Sequence, residues 1–413
     1  LKEQTMPEQA PWKFQKIIKP LVDLPTEHLV LTGRVLTSRG DEVIEAGFVE
    51  LLDGKIAAVG PIAELGDRAA TAVATGGTIL PGLFNNHAHL GWDGIHDLAN
   101  QSMNDAPEIS AYKCAGNMIV SLRAGVTTVR DLGMNTANLF AKQAVEQGIF
   151  PGPRLLVCGQ AIIQTGGHTY WCCREASGPD EMRRAVREQV RAGADLIKIM
   201  GSHDRIEMTD EELAAVVDET HRNGLPITAH ATWDEVIHRV VSAGVDCVEH
   251  GGSLSEATIQ LLLDRNVPIV TTFAPLVMQA NLELARAYNM PDFLIARRQE
   301  GLKNTARYEG IVNAAKAGVT IAFGTDAGSP VVGHGVIVPE MKFMVKLGVV
   351  PDAYAAIRSA TSVSAQINHL SAQRGTLEAG KQADVIVVDG NPLEDLDALE
   401  KVKMTFVGGK RLF

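Results

Sequence analysis

Apolar and polar positions along the chain fall into two kinds of pattern. From His28 to about Leu80, short apolar runs such as Leu29-Val30-Leu31 and Phe48-Val49-Glu50-Leu51-Leu52 are broken by Gly33, Gly40, Gly54 and Gly60, as β-strands joined by tight turns are. The far end repeats this: 383–390 and 401–409 again read strand, turn, strand. Between them, from about Pro81 to about Leu370, short apolar runs alternate with stretches of helical period, the pattern of repeated βα units. In one such stretch, Asp180 to Ala192, Met182, Ala185, Val186 and Val190 mark a single apolar stripe.

Eight strands are predicted in this central part: Leu83 to His89, Val126 to Asp131, Arg154 to Cys158, Leu196 to Met200, Pro226 to His230, Cys247 to His250, Pro268 to Phe273 and Thr320 to Asp326. Eight βα units predict an α/β protein of the (β/α)8 TIM barrel class, in which chemistry sits at the C-terminal ends of the strands. An open doubly wound sheet is the alternative, but no glycine-rich dinucleotide loop follows its first strand.

Polar residues that close apolar strands therefore carry weight. His87 and His89, two residues apart on a strand, share a face and could grip one ion, or be incidental to a polar strand end. Lys198 lies inside Leu196-Ile197-Lys198-Ile199-Met200, where a bare ammonium is costly unless paired with a carboxylate or neutralised. Burial lowers a lysine pKa, and the neutral amine can add carbon dioxide to form an anionic carbamate able to bridge two cations. His230 and His250 end the fifth and sixth strands, where imidazole is a common ligand for zinc-like ions. Asp326 ends the eighth, placed to bind metal, to take a proton from metal-bound water, or to cap a turn. Each position alone has a structural reading. Together they fall at strand ends in the order a shared site needs.

Composition narrows the partners. At 413 residues the chain suits a barrel with a minor companion domain, and 46% hydrophobic with 21% charged residues is ordinary for a globular enzyme. A net charge of -11 without a dense Lys/Arg run argues against nucleic acid or an anionic membrane and for a small-molecule substrate. Five cysteines without CxxC spacing suggest reduced thiols. No run approaches the roughly 20 apolar residues of a membrane span, and 1–26 reads as a polar, proline-dotted arm without a signal-type core. A cytoplasmic location is the expectation, although a chain opening on Leu1 is compatible with a leader removed ahead of it.

Pro81-Gly82-Leu83 leading to His87 and His89, the Lys198 strand, His230, His250, Gly324-Thr325-Asp326 and the Gly375 to Asp384 segment together resemble the amidohydrolase superfamily over nearly the whole chain. Thr127-Thr128-Val129-Arg130-Asp131 and Gly166-Gly167-His168 resemble its imidazolonepropionase-like and prolidase-like dipeptidase and carboxypeptidase branch. The resemblance implies a small β-sandwich domain built from both ends, 27–80 and 371–413, around a barrel over 81–370. It also implies two divalent ions, usually zinc. His87, His89 and Asp326 would hold the buried ion, His230 and His250 the exposed one, with carboxylated Lys198 and a hydroxide between them. Asp326 would shuttle the proton to the leaving nitrogen, and a homo-oligomer is expected from relatives.

His168 stands where relatives place a substrate-facing histidine, and His334 resembles a loop histidine of relatives. Trp92, Tyr170 and Trp171 lie beside these segments as a candidate apolar substrate wall. Relatives that cut dipeptides carry a tyrosine two residues after the fifth-strand histidine, whereas this chain has Thr232, which weighs against cleavage by that geometry. His203 and Arg205 reshape the mouth after the fourth strand, and Arg205 is a candidate partner for a substrate carboxylate or for a surface ion pair. The leading expectation is hydrolysis of an amide in an N-acyl amino acid or dipeptide-like molecule. The alternatives are another amide, carbamate or cyclic amide, and a metal-free binding protein.

Overall fold

A computed structural model of the protein describes residues 26, 28–201 and 205–413. The arm expected over 1–26 falls outside them except for Thr26, and so does His203. The chain opens with β1 (Leu29–Leu36), β2 (Val43–Leu52), β3 (Lys55–Pro61) and β4 (Ala72–Pro81). There follow β5 (Leu83–Ala88), β6 (Val126–Asp131), β7 (Arg154–Val157), β8 (Ile162–Gln164), β9 (Arg174–Ala176) and β10 (Ile197–Met200). Next come β11 (Ile227–Ala231), β12 (Cys247–His250), β13 (Ile269–Thr271) and β14 (Ile321–Phe323), and then β15 (Val385–Val388), β16 (Val402–Val407) and β17 (Lys410–Arg411).

The first and last strands form one seven-stranded sheet in the order β17-β16-β15-β4-β1-β2-β3. The junction between the two ends is antiparallel, with Ile386 opposite Leu80 and Val387 opposite Ile79. Successive side chains on a strand point to opposite faces, and the sheet uses both. Val385, Val387 and Ile79 pack with Leu31, Val49 and Phe406 in the sheet's own core. Ile386, Val388, Leu80 and Leu36 face the other way and join the large barrel core. Arg154 on β7 adds a tie, donating from Nε to Asp384 Oδ2 at 2.7 Å.

Every run predicted as a central strand contains a strand, and all pair in parallel. β5, β6 and β7 are neighbours, and β10 to β14 run in sequence. The two groups close into a barrel. Asp195 N donates to Val157 O at 2.8 Å below β10, and His89 N donates to Ala327 O at 2.8 Å beyond β14. This closure rules out the open doubly wound sheet. The third strand is longer than its apolar run suggested: the chain breaks at Gly159, whose φ of 69° suits glycine, and resumes as β8, with Ile162 opposite Ile199.

The helices follow their sequence signals. Pro179–Ala192 starts with proline and ends at left-handed Gly193, and it buries Met182, Ala185 and Val186 as its stripe requires. Asp210–Arg222 begins at a Thr209/Glu212 capping box. No helix among the described residues is long and apolar enough to cross a membrane, and all five cysteines are free.

One core contact makes a stability prediction. Glu340, on the helix Val338–Leu347, is fully buried and accepts a hydrogen bond from Ala274 N. Burial pushes its carboxyl up to about 8. The unfolded chain ionises this group near 4.5 while the folded protein keeps it protonated, so stability is lost as pH rises from about 4.5 through 8 at roughly 1.4 kcal/mol per unit. Glu340→Gln should remove that slope, so its melting temperature relative to the parent should climb between pH 5 and 8. Parallel melting curves across that range would contradict the assignment.

Candidate metal centre

The end of β5 is drawn against the end of β14 by a reciprocal side-chain clasp. Asn85 Nδ2 donates to Thr325 Oγ1 at 2.7 Å, and Thr325 N donates back to Asn85 Oδ1 at 3.1 Å. Gly324 allows the approach, since a Cβ there would lie 2.9 Å from His87 Cβ. Asp326 then turns into the mouth with a left-handed φ of 56°, a conformation that a non-glycine residue holds only when its surroundings fix it. Its Oδ1 lies 3.1 Å from His89 Nε2 and 3.5 Å from His87 Nε2. The ligand atoms of these three residues lie within 4.8 Å of one another.

Three imidazoles are held from behind. His87 Nδ1 is 2.8 Å from Glu249 Oε2, His89 Nδ1 2.5 Å from the carbonyl of Gly133, and His250 Nδ1 2.6 Å from Thr272 Oγ1. A carboxylate or carbonyl partner requires the proton on Nδ1 of His87 and His89, which leaves Nε2 as the inward donor atom. On a regular strand Glu249 and His250 would face opposite ways. His250 adopts a left-handed φ of 69°, and both residues reach His87: Glu249 by its hydrogen bond, His250 with ring centroids 4.6 Å apart. His230 extends the group, 4.4 Å from the His250 ring and 5.2 Å from the His168 ring.

Lys198 is buried on β10 and lines the same cleft, of about 830 Å³, as all five other candidate ligands. It forms no ion pair among the described residues; nearby Glu249 is engaged by Arg130 Nη2 at 2.6 Å, by His87 and by Thr228 Oγ1. Burial lowers the Lys198 pKa against the pull of Glu249 and Asp326. Burial also holds the imidazoles of His87 and His250 well below the usual range, helped by the Lys198 charge. Without a bound ion, burial alone would lower the His89 pKa but Asp326 raises it, so that His89 Nε2 also carries a proton and donates it to Asp326. Burial alone would raise Asp326, but this hydrogen bond and the neighbouring positive charges outweigh it and set its pKa at about 2.

Residues 78–412 match the Amidohydrolase family. The chain belongs to that family. It is similar to the ochratoxinase of Aspergillus niger, 27% identical over 442 aligned positions that cover 95% of this chain and 88% of the other. Among solved structures it is similar to a Xaa-Pro dipeptidase with bound methionine (TM-score 0.81, 26% identity, 93% of this chain and 99% of that one). It is also similar to a prolidase complexed with N-methylphosphonate-L-proline (TM-score 0.79, 28% identity, 94% and 99%).

The amidohydrolase cleft takes in some of the sequence candidates and leaves others out. His168, Trp92 and Thr232 line it, and Trp92 lies against His89 and Trp171 at centroid distances of 4.5 and 5.7 Å. Tyr170 does not line it: the irregular turn after β8 directs Trp171 inward and leaves Tyr170 52% exposed. Arg205 is exposed, 3.5 Å from the carbonyl of Gly166, and is not part of the lining. His334 is neither solvent-facing nor at the cleft. It is buried, with Nε2 donating to the Trp92 carbonyl at 2.9 Å, and so supports that wall from behind. Sequence reasoning passed over Arg130 and Glu249, although both are charges set in apolar strands, the signal that singled out Lys198.

Proposed function

We propose that this amidohydrolase uses a divalent metal pair to hydrolyse the carbon–nitrogen bond of an N-acyl amino acid or dipeptide-like amide. The observation that carries the reading is the convergence of His87, His89, His230, His250, Lys198 and Asp326 on one cleft, with three imidazoles tied back through Nδ1. The donor set fits such ions: nitrogen and carboxylate atoms suit zinc-like cations, and the tied-back imidazoles have their orientation fixed in advance. Bound ions would supply the Lewis acidity that activates water and polarises the scissile carbonyl.

The side chains supply the rest. Asp326 accepts the proton of the attacking water and returns it to the leaving nitrogen. Lys198, buried and easily neutralised, adds through Nζ to carbon dioxide. A nitrogen–carbon bond forms, a proton leaves to solvent, and the carbamate offers two anionic oxygens. Trp92 and Trp171 form the apolar wall, and His168 meets the substrate. The names of the similar solved proteins, a dipeptidase and a prolidase, favour a dipeptide-like amide. Thr232, with its short hydroxyl in the cleft, favours as second reading another amide or a carbamate. Hydrolysis panels of N-acyl amino acids, dipeptides and carbamates separate the two, and fewer than one ion per chain after metal supplementation would sink both.

Lys198→Ala should lower kcat on the order of 10³-fold and reduce bound metal in elemental analysis. Millimolar propionate, a carboxylate small enough for the vacated space, should restore part of both. Full activity with unchanged metal content in Lys198→Ala would remove lysine from the site.

A further inference from the structure

The cleft has a second chemical feature. Between β13 and β14 the chain makes the short helices Ala274–Gln279 and Leu282–Ala287, then Asp292–Lys303 and a turn at Ala306–Tyr308. This excursion brings Arg297, Arg298 and Arg307 into the lining of the cleft that holds the metal ligands. The chain has 49 acidic against 38 basic side chains, yet three guanidiniums share this lining. None forms an ion pair among the described residues, while Arg34, Arg130, Arg154, Arg174 and Arg286 all do. The carboxylates in the lining are Asp97 and Asp326. Asp97 caps a helix by accepting from Asn100 N, and Asp326 faces His87 and His89.

Arg298 is half-buried and held in place. Its Nε donates to Gln279 Oε1 at 2.7 Å, and Gln279 Nε2 donates in turn to the carbonyl of Pro330, at 2.8 Å, on the loop that follows Asp326. That chain fixes the guanidinium to the rim of the cleft and leaves its two terminal nitrogens without an acceptor among the described residues. Arg307 stays beside it, stacked 4.9 Å from the Tyr308 ring centroid. Burial and the repulsion of Arg297 and Arg307 lower the Arg298 pKa, which is the state of a cation cluster that lacks its anion. Two parallel N–H donors match the geometry of a carboxylate.

Resting on the hydrolase reading above, we propose that Arg298, flanked by Arg297 and Arg307, is the subsite that receives the free carboxylate of the substrate, so that the enzyme selects anionic amides. Arg298 takes the role that sequence position had suggested for Arg205.

The test uses the zinc-supplemented protein with Arg298→Gln, Arg298→Lys and the exposed-site Arg307→Gln. Each is assayed on an N-acyl amino acid and on its carboxamide, and titrated calorimetrically with 3-phenylpropanoate and with neutral 3-phenylpropanol. In Arg298→Gln the preference in kcat/KM for the acid over the carboxamide should fall by about 30-fold or more, mainly through KM, and in Arg307→Gln by about 5-fold. Arg298→Lys should recover part of the loss, and 3-phenylpropanoate affinity should fall in the same order while that of the alcohol changes far less. Equal losses on acid and carboxamide overturn the subsite. So does 3-phenylpropanoate binding that is absent in the parent or the same in all variants, the latter being what a carboxylate held by the metal alone would give. If no amide is cut but 3-phenylpropanoate binding depends on Arg298, the subsite stands and the hydrolytic reading fails.

Discussion

Asp326→Asn should lower kcat by roughly 10⁴-fold, the upper range for loss of a positioned proton-transfer group, while leaving the fold intact. Asparagine has the same shape and tolerates the left-handed φ of 56° found at this position, so the backbone turn at the end of β14 survives. What disappears is the charge. Without a bound ion the parent carboxyl is held at about 2 by His89 and the charges around it, and as a ligand to bound cations it would stay ionised because of them. An amide can neither accept the water's proton nor balance cations that would bind beside His87 and His89. The depressed pKa also fixes a sign: its contribution to stability is complete above the ordinary aspartate value of 3.8 and is lost only as pH falls through about 2. Steady-state kinetics with elemental analysis decides the matter, and a variant within tenfold of the parent would take Asp326 out of the chemistry.

The barrel was legible because each of its strands is a short apolar run, and because its site residues interrupt or end those runs. His87, His89, Lys198, His230, His250 and Asp326 announced themselves by being polar where the pattern required apolar, and the cleft contains them all. Glu249 and Arg130 break the same pattern. Attention to strand ends hid them, since they lie one layer below the mouth, where Arg130 Nε also reaches the Asn86 carbonyl. Outside the strands, periodicity stops indicating direction. Tyr170 and Trp171 are adjacent in an irregular turn, so no repeat told which ring enters the cleft. Arg297 and Arg298 sit on a helix of mixed polarity that reads as a solvated face, and only the route of the chain between β13 and β14 places them in the lining of the cleft. The clasp between Asn85 and Thr325 joins residues 240 positions apart, beyond any local pattern.

Glu249→Gln should be the most damaging change away from the cleft surface, and it should act in two separable ways. Glu249 is fully buried and serves Arg130, His87 and Thr228 at once. A glutamine has one acceptor oxygen in place of two and no charge, so the equally enclosed Arg130 guanidinium loses its counter-ion. Breaking a buried pair from one side typically costs about 3–5 kcal/mol, visible as a lower denaturation midpoint. Independently, His87 Nδ1 loses the carboxylate that fixes its tautomer and aims Nε2, and loss of such a partner typically weakens metal affinity about 10–100-fold. Replacing both members, Arg130→Met with Glu249→Met, separates the two effects. Two apolar side chains of similar size remove the unpaired charge, so stability should recover most of the loss. His87 remains without its partner, so metal affinity should not recover. If the double variant regains both, the ion pair serves only packing. If Glu249→Gln alone changes neither midpoint nor affinity, the Arg130–Glu249–His87 chain has no part in holding the site.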